Sequence, residues 1–389
     1  MNVKQRGVVL LLKSALTGEP GVLPDGFDMD WAEELARSHH MGALVYEGAL
    51  RCGVSPQTPV MQRLFQHYCK ALQVSKRQMG ALDRVFAAFD ENGIDYLPVK
   101  GAILKRLYPK PELRTMGDAD VLIRREQYDR IVPIMEAAGF RATDESEHDY
   151  LWESAALKIE LHKCLFTETH HLYPSYYGDG WPLARRGEGG CHAMSPEDAF
   201  VYLFAHFAKH YRNSGIGCRH LADLWVYLKA HPALDEEYVQ SVLDRLCLGR
   251  FYCNTRKTIA AWFEDGEEDD VTRTITEVIF ASGSWGTAQQ AALSAGVRDD
   301  QKSSQLLGSR WGYVIRRVFP GRDFLRMRYP ILNRMPVLLP GVWVVHLFKR
   351  AVLSRGVLKR QMHSISALSK ENVDTYRQML DLVGLEKYY

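Results

Sequence analysis

The chain has 389 residues, of which 46% are hydrophobic and 25% charged, and its formal net charge is +2. This is ordinary globular composition with length enough for two or three domains, and it excludes binding to polyanions through overall charge alone. Seven cysteines, Cys52, Cys69, Cys164, Cys191, Cys218, Cys247 and Cys253, are irregularly spaced without a CxxC, which favours free thiols in a reducing cytoplasm over a disulfide framework or a zinc site.

In chain order, the opening "MNVKQRGVVLLLKSALTGEP" sets a Lys and an Arg before a short apolar run. That is the outline of a signal peptide, but Lys13 breaks the run and the segment reads as an amphipathic helix. Residues 1–88 are helical in pattern. "DMDWAEELARSHHMGALVYEGAL" opens on an Asp cap before apolar positions at helical spacing, and "PVMQRLFQHYCKALQVSKRQMGALDRVFAAFDENG" predicts one long helix stopping at Asn92-Gly93. Residues 89–190 change character: "IDYLPVK", "DADVLI", "HDYLWES" and "ALKIELHKC" read as short strands and "REQYDRIVPIMEAAG" as a helix. Residues 191–300 are helical again, opening on a Ser195 cap with Pro196 at the first position and Glu197 in the first turn. The acidic run "EDGEEDD", 264–270, reads as a solvated loop between two later helices. Residues 301–389 form a basic, aromatic-rich tail with helical pattern. The fold class expected is α+β, a short mixed sheet with helical regions before and after it.

The chemistry concentrates in the α+β unit. In "RTMGDADVLI", Asp118 and Asp120 stand two apart at the mouth of an apolar strand. Side chains at i and i+2 of a strand share a face, so the two carboxylates converge and repel unless a cation lies between them. Oxygen ligands suit Mg²⁺ or Mn²⁺. A bare DxD is also often a turn cap followed by an exposed Asp. Some forty residues on, "ALKIELHK" alternates strictly, with Leu157, Ile159 and Leu161 on one face and Lys158, Glu160 and His162 on the other. Glu160 is then a candidate third carboxylate, or an exposed residue paired with Lys158. Three carboxylates on two adjacent strands suit two-metal phosphoryl transfer. Lys100-Gly101 falls where a strand gives way to a helix, a place for phosphate, although no GxxxxGK[ST] is present.

This order of parts resembles a known family. The strand with Lys-Gly, a helix, "LYPKPELRTMGDADVLI", a second helix and "IELHK" look like the uncharacterised nucleotidyltransferase family of bacteria, within the DNA-polymerase-β-like nucleotidyltransferase superfamily. "WAEELARSHHMGALVYEGAL", "AFVYLFAHFAKHYRNSGIGCRHLADLWVYL" and "RYPILNRMPVLLPGVWVVHLFKR" resemble the family's flanking segments, so the likeness covers most of the chain. The resemblance implies a minimal nucleotidyltransferase core. Asp118 and Asp120 match its metal pair, Glu160 its third carboxylate, as ligand or base. Lys100, Gly101, Arg114, His162, His210 and Arg219 become candidates for nucleotide or phosphate binding. Lys100-Gly101 stands where the wider superfamily has Gly-Ser.

Two constellations remain. "HFAKH" puts His206 and His210 one turn apart, but Phe207 stands where a zinc protease needs Glu; a place in the cleft with Arg219 and Asp223 fits better. From Arg310 to Arg360 there are twelve Lys or Arg against the single acid Asp323, interleaved with aromatics. The apolar run "MPVLLPGVWVVHLF" is too short and too broken by proline to span a bilayer. This stretch, 310–360, fits a peripheral contact with an anionic membrane, a helix packed on the domains, or nucleic acid, for which no recognition motif is visible. The sequence therefore predicts a cytoplasmic, Mg²⁺- or Mn²⁺-dependent enzyme that moves an NMP from an NTP to an unidentified acceptor. The alternatives are a non-catalytic nucleotide-binding or membrane-surface adaptor and a nucleic-acid-modifying enzyme or toxin.

Overall fold

The structure is a computed structural model that describes residues 1–166, 172–283, 286–302, 329, 331–343 and 369–385, with Leu325 and Val345 besides. The expectations for the basic stretch 310–360 fall almost entirely outside these residues. Among the described residues, no helix is long and apolar enough to cross a membrane.

The fold is α+β, and its helical regions flank a five-stranded mixed sheet. Helix α1 (Val3–Thr17) starts on a capping box between Asn2 and Gln5 and stops at Gly18, whose φ of 79° is left-handed. It packs against α3 (Gly42–Arg51), where Gly48 permits contact because a Cβ there would sit 2.0 Å from the Leu11 carbonyl oxygen. Helix α2 (Met29–Ser38) precedes α3, and the Asp28 carboxylate accepts from the Trp31 amide as its cap. The helical pattern over 29–51 is thus two helices, separated at His39–Met41, where His40 takes φ +52°. Helix α4 (Pro59–Glu91) is one unbroken element of 33 residues. It ends at Asn92-Gly93 as the sequence predicts.

The sheet consists of β1 (Tyr96–Val99), β2 (Asp118–Ile123), β3 (Arg141–Glu145), β4 (Asp149–Glu153) and β5 (Lys158–His162), in the order β1-β2-β5-β4-β3. Only β2 and β5 run parallel. Strand β3 was not legible in the sequence. All five of its residues are exposed, so it has no apolar alternation, and it pairs at the sheet edge with a register shift. Helix α5 (Gly101–Leu107) follows β1 and α6 (Tyr128–Ala137) follows β2. One face of the sheet, with Ala119, Val121, Ile123, Ile159 and Leu161, is buried against Leu82, Val85 and Phe89 of α4 and Ile131 and Met135 of α6. Period-two alternation then leaves Asp118, Asp120, Glu160 and His162 on the opposite face.

A short α7 (Tyr173–Tyr177) leads to α8 (Pro196–Asn213), capped by Ser195, and then to α9 (Cys218–Ala230), α10 (Glu236–Arg245), α11 (Gly249–Phe263), α12 (Asp270–Ser282) and α13 (Ala288–Lys302). These helices share one continuous core with α1–α3. The terminal helix Lys370–Val383 joins it through Val373, Tyr376 and Leu380, and the Tyr376 hydroxyl donates to the Arg212 carbonyl. The acidic run does more than face solvent. Glu264 pairs with Lys229, Asp265 with Lys13 and Glu268 with the N-terminal ammonium, and Asp269 caps α12. All seven cysteines are free thiols.

Candidate functional site

The parallel register of β2 and β5 sets Asp120 beside Glu160 and Asp118 beside Lys158. Asp120 is buried, while Asp118 and Glu160 are half-buried. The Lys100 ammonium lies 2.7 Å from Asp120 Oδ1, and His162 Nε2 lies 2.8 Å from the same oxygen and 3.7 Å from Glu160 Oε2. Lys158 turns away to pair with Glu153.

The electrostatics differ between the three acids. Burial alone would raise Asp120, but Lys100 and His162 outweigh it and hold this carboxyl well below the usual range. Burial and the neighbouring Asp120 push Asp118 up. Burial, then Asp120 and Asp118, push Glu160 up to about 7. Two acids are therefore raised by desolvation and like charge. Ligand atoms of Asp120, Glu160 and His162 all lie within 4.8 Å of one another, and so do those of His148, Asp149 and His162. Asp118 lines the same cavity. The donor set fits a divalent cation: carboxylate oxygens suit Mg²⁺ or Mn²⁺, and the imidazole adds a nitrogen donor beside them.

Facing the carboxylates across a cavity of about 330 Å³ are side chains of α8 and α9. His206 and His210 are within 2.8 Å of each other at Nε2. Burial, then Lys209, brings His210 down to about 4, and burial holds His206 well below its ordinary value, so both rings are neutral near pH 7. Lys209 is half-buried at the same wall and has no carboxylate partner among the described residues. Burial, then Lys100, lowers its pKa.

Arg114 and Arg219 also line the cavity, but each is already engaged. Arg114 donates from Nε and Nη2 to the two oxygens of Asp223, at 2.8 and 3.0 Å, and the Tyr108 hydroxyl donates to Asp223 at 2.7 Å. Arg219 Nη1 donates to the Thr115 carbonyl at 2.6 Å. These arginines tie the segment before β2 to α9. His162 belongs to the carboxylate side and not to the cationic wall. Gly101 opens α5, where a Cβ would press on Arg114 Nη1 at 3.2 Å and on Met116 Cγ at 3.3 Å. Lys100 before it takes φ +47° and ψ −115°, a conformation that favours glycine. Lys209, His220 and His148 also line the cavity, beyond the residues expected from the sequence. A signal existed for Lys209, which is three residues after His206 and so on the same helix face.

Acidic side chains on a central parallel strand pair, opposed by a helical wall that carries Lys209 and Arg219, sit on a mixed α+β core. The profile of the family described as uncharacterised nucleotidyltransferase matches residues 25–264, and the chain belongs to this family. It is also similar to a solution structure of the antibiotic-resistance factor ANT(2'')-Ia, at 16% identity over 46% of this chain and 95% of that one, with a TM-score of 0.34. A crystal structure of ANT(2'')-Ia in complex with adenylyl-2''-tobramycin is similar at 16% identity over 45% and 98% of the two chains, with a TM-score of 0.33. No curated protein matches the chain.

Proposed function

We propose that the protein is a metal-dependent nucleotidyltransferase that moves an NMP from an NTP to an acceptor carrying a nucleophilic oxygen. The observation that carries this reading is the juxtaposition of Asp118, Asp120 and Glu160 with the cationic wall across one cavity. In the reaction the acceptor oxygen bonds to the α-phosphorus, the bond from that phosphorus to the bridging oxygen breaks, and pyrophosphate leaves. Asp118, Asp120 and Glu160 hold Mg²⁺ or Mn²⁺, which would supply charge neutralisation at the phosphates and activation of the attacking oxygen. Glu160 serves as a further ligand or takes the acceptor's proton. Lys209, half-buried and without a carboxylate partner among the described residues, faces the triphosphate as a point charge. His210 is neutral, so it offers a hydrogen bond and not a charge. Arg114 and Arg219 position the segment that delivers Asp118.

The experiment is incubation with each α-labelled NTP, Mg²⁺ or Mn²⁺ and a host lysate, followed by identification of the labelled species. Label transfer that Asp118→Asn and Asp120→Asn abolish supports the reading. One observation favours a second reading, a nucleotide-binding protein without turnover: the Lys100 ammonium already neutralises Asp120 at 2.7 Å. Metal-dependent NTP binding with no labelled product under any condition would decide for it.

A further inference from the structure

Behind the segment that carries Arg114 to Met116 lies a second, open cavity of about 390 Å³, lined by residues of α2, α3 and α4 among others. It shares Arg114 and Met116 with the catalytic cavity as a common wall. Its size is that of a small-molecule site, and its lining is strongly asymmetric in charge. Arg37 and Lys70 stand exposed at its mouth without an ion-pair partner among the described residues, and Lys105 and Arg114 lie buried at its back. The one acid in the lining is Glu112, and it accepts from the Tyr68 hydroxyl at 3.0 Å.

The interior surface is built for more than water. Ala36, Ala71, Val74 and Met116 make an apolar wall. Gln78, only 5% exposed, donates through Nε2 to the Met116 carbonyl at 2.8 Å, yet its carbonyl oxygen has no hydrogen-bond partner among the described residues. Buried polar groups in folded proteins are nearly always satisfied, so this floor lacks a partner. Lys105 is different. Its ammonium is held by the carbonyls of Pro111 and Arg114 behind the cavity, and burial, then Arg114, brings its pKa down to about 8.

We propose that this cavity is a second binding site, for an organic anion whose phosphate or carboxylate meets Arg37 and Lys70 while its apolar body lies against Ala36, Ala71, Val74 and Met116. Such a ligand is separate from the NTP and sits on the other side of the Arg114–Met116 segment. The proposal does not depend on the chemistry assigned to the carboxylates.

The test is equilibrium binding of phenyl phosphate, benzoate and the neutral isostere benzamide to the full chain by calorimetry. Phenyl phosphate or benzoate binds and benzamide does not; the tighter of the two anions tells phosphate from carboxylate. Arg37→Ala with Lys70→Ala raises the Kd at least tenfold, and both positions are exposed, so the fold is retained. Lys209→Ala, in the catalytic cavity, leaves the Kd within twofold. Equal binding of benzamide, an unchanged Kd in the Arg37→Ala/Lys70→Ala variant, or loss of binding in Lys209→Ala would each overturn the proposal. Absence of binding by both anions would overturn it as well.

Discussion

Lys100 is held by two opposing effects, and they can be separated. Its ammonium forms a buried ion pair with Asp120 at 2.7 Å, and its backbone sits at φ +47°, ψ −115°. Removing one partner of a buried pair leaves the other charge uncompensated, at a cost of about 3–5 kcal/mol. A non-glycine residue in a sparsely populated region costs about 1–3 kcal/mol. Lys100→Ala loses the pair and keeps the strain. Lys100→Gly loses the same pair and releases the strain, but gains about 0.4–1 kcal/mol of unfolded-chain entropy. Both variants should therefore be less stable than the parent, and the Gly variant should exceed the Ala variant by about 1 kcal/mol. The contact of the Lys100 ammonium with the Tyr202 ring, at 5.9 Å, is lost equally in both and drops out of the difference. Guanidinium unfolding of the three proteins at one pH in EDTA reads the order directly. An Ala variant at least as stable as the Gly variant would refute the strain, and a parent no more stable than either would refute the pair.

The two aspartates should part company in metal-free buffer. Asp120→Asn leaves Lys100 buried without its counter-charge and destabilises the fold, while Asp118→Asn removes a like charge and leaves stability unchanged or higher; thermal midpoints in EDTA check this, and both variants should lose nucleotide transfer by at least a hundredfold. Glu160 makes stability depend on pH. Its carboxyl ionises near 4.5 when unfolded and about 7 when folded, so the folded state binds the extra proton between these values and stability falls as pH rises through that window. His39, His148 and His210, each brought down to about 4, give the opposite slope below about 6.5. The difference between parent and Glu160→Gln isolates the carboxylate, and identical unfolding profiles from pH 4.5 to 7 would remove it from the site. Arg114→Ala should cost about 3–5 kcal/mol by stranding Asp223, with NTP affinity per folded molecule little changed; a large loss of affinity at full stability would return Arg114 to the phosphate. Lys209→Ala should weaken NTP binding severalfold or more without loss of stability, as titration with a non-hydrolysable NTP would show.

The carboxylate cluster was legible because strand periodicity is local. Asp118 and Asp120 at i and i+2, and Glu160 on the polar face of "KIELH", fix which side of each strand they occupy before any tertiary structure is known. The long helix α4, its stop at Asn92-Gly93 and the Ser195 cap were legible for the same reason. The cationic wall was only half legible. His206 and His210 announce a helix face, but that this face meets the carboxylates across the cavity depends on the placement of α8, which begins more than seventy residues after β2 ends. Arg114 has a partner that its place in the sequence does not disclose. Its spacing before Asp118 suggests a phosphate ligand, and nothing local discloses Asp223, more than a hundred residues away, to which it gives both hydrogen bonds. Strand β3 carried no pattern because it has no buried face.

The conformation of Lys100 connects this local reading to the site's chemistry. The resemblance puts Lys100 where related proteins carry glycine, and its positive φ gives the physical reason a glycine belongs there. A lysine at that point accepts backbone strain, and its ammonium then reaches Asp120 through the short path between β1 and β2. This ammonium neutralises the carboxylate that a divalent cation would bind, so the two positive charges compete for one acid. Lys100 can face a triphosphate only after it leaves Asp120, and it can leave without cost only when another cation takes its place. Metal and NTP should consequently bind with positive coupling: the apparent NTP affinity of the parent rises with Mg²⁺ concentration, and Lys100→Ala, with Asp120 relieved of the ammonium and bonded only to His162, binds Mg²⁺ more tightly in the absence of NTP. Measuring the Mg²⁺ Kd of the two proteins without nucleotide decides the point. If Lys100→Ala binds Mg²⁺ no more tightly than the parent, the lysine and the cation do not share Asp120, and the ion pair is a fixed part of the structure.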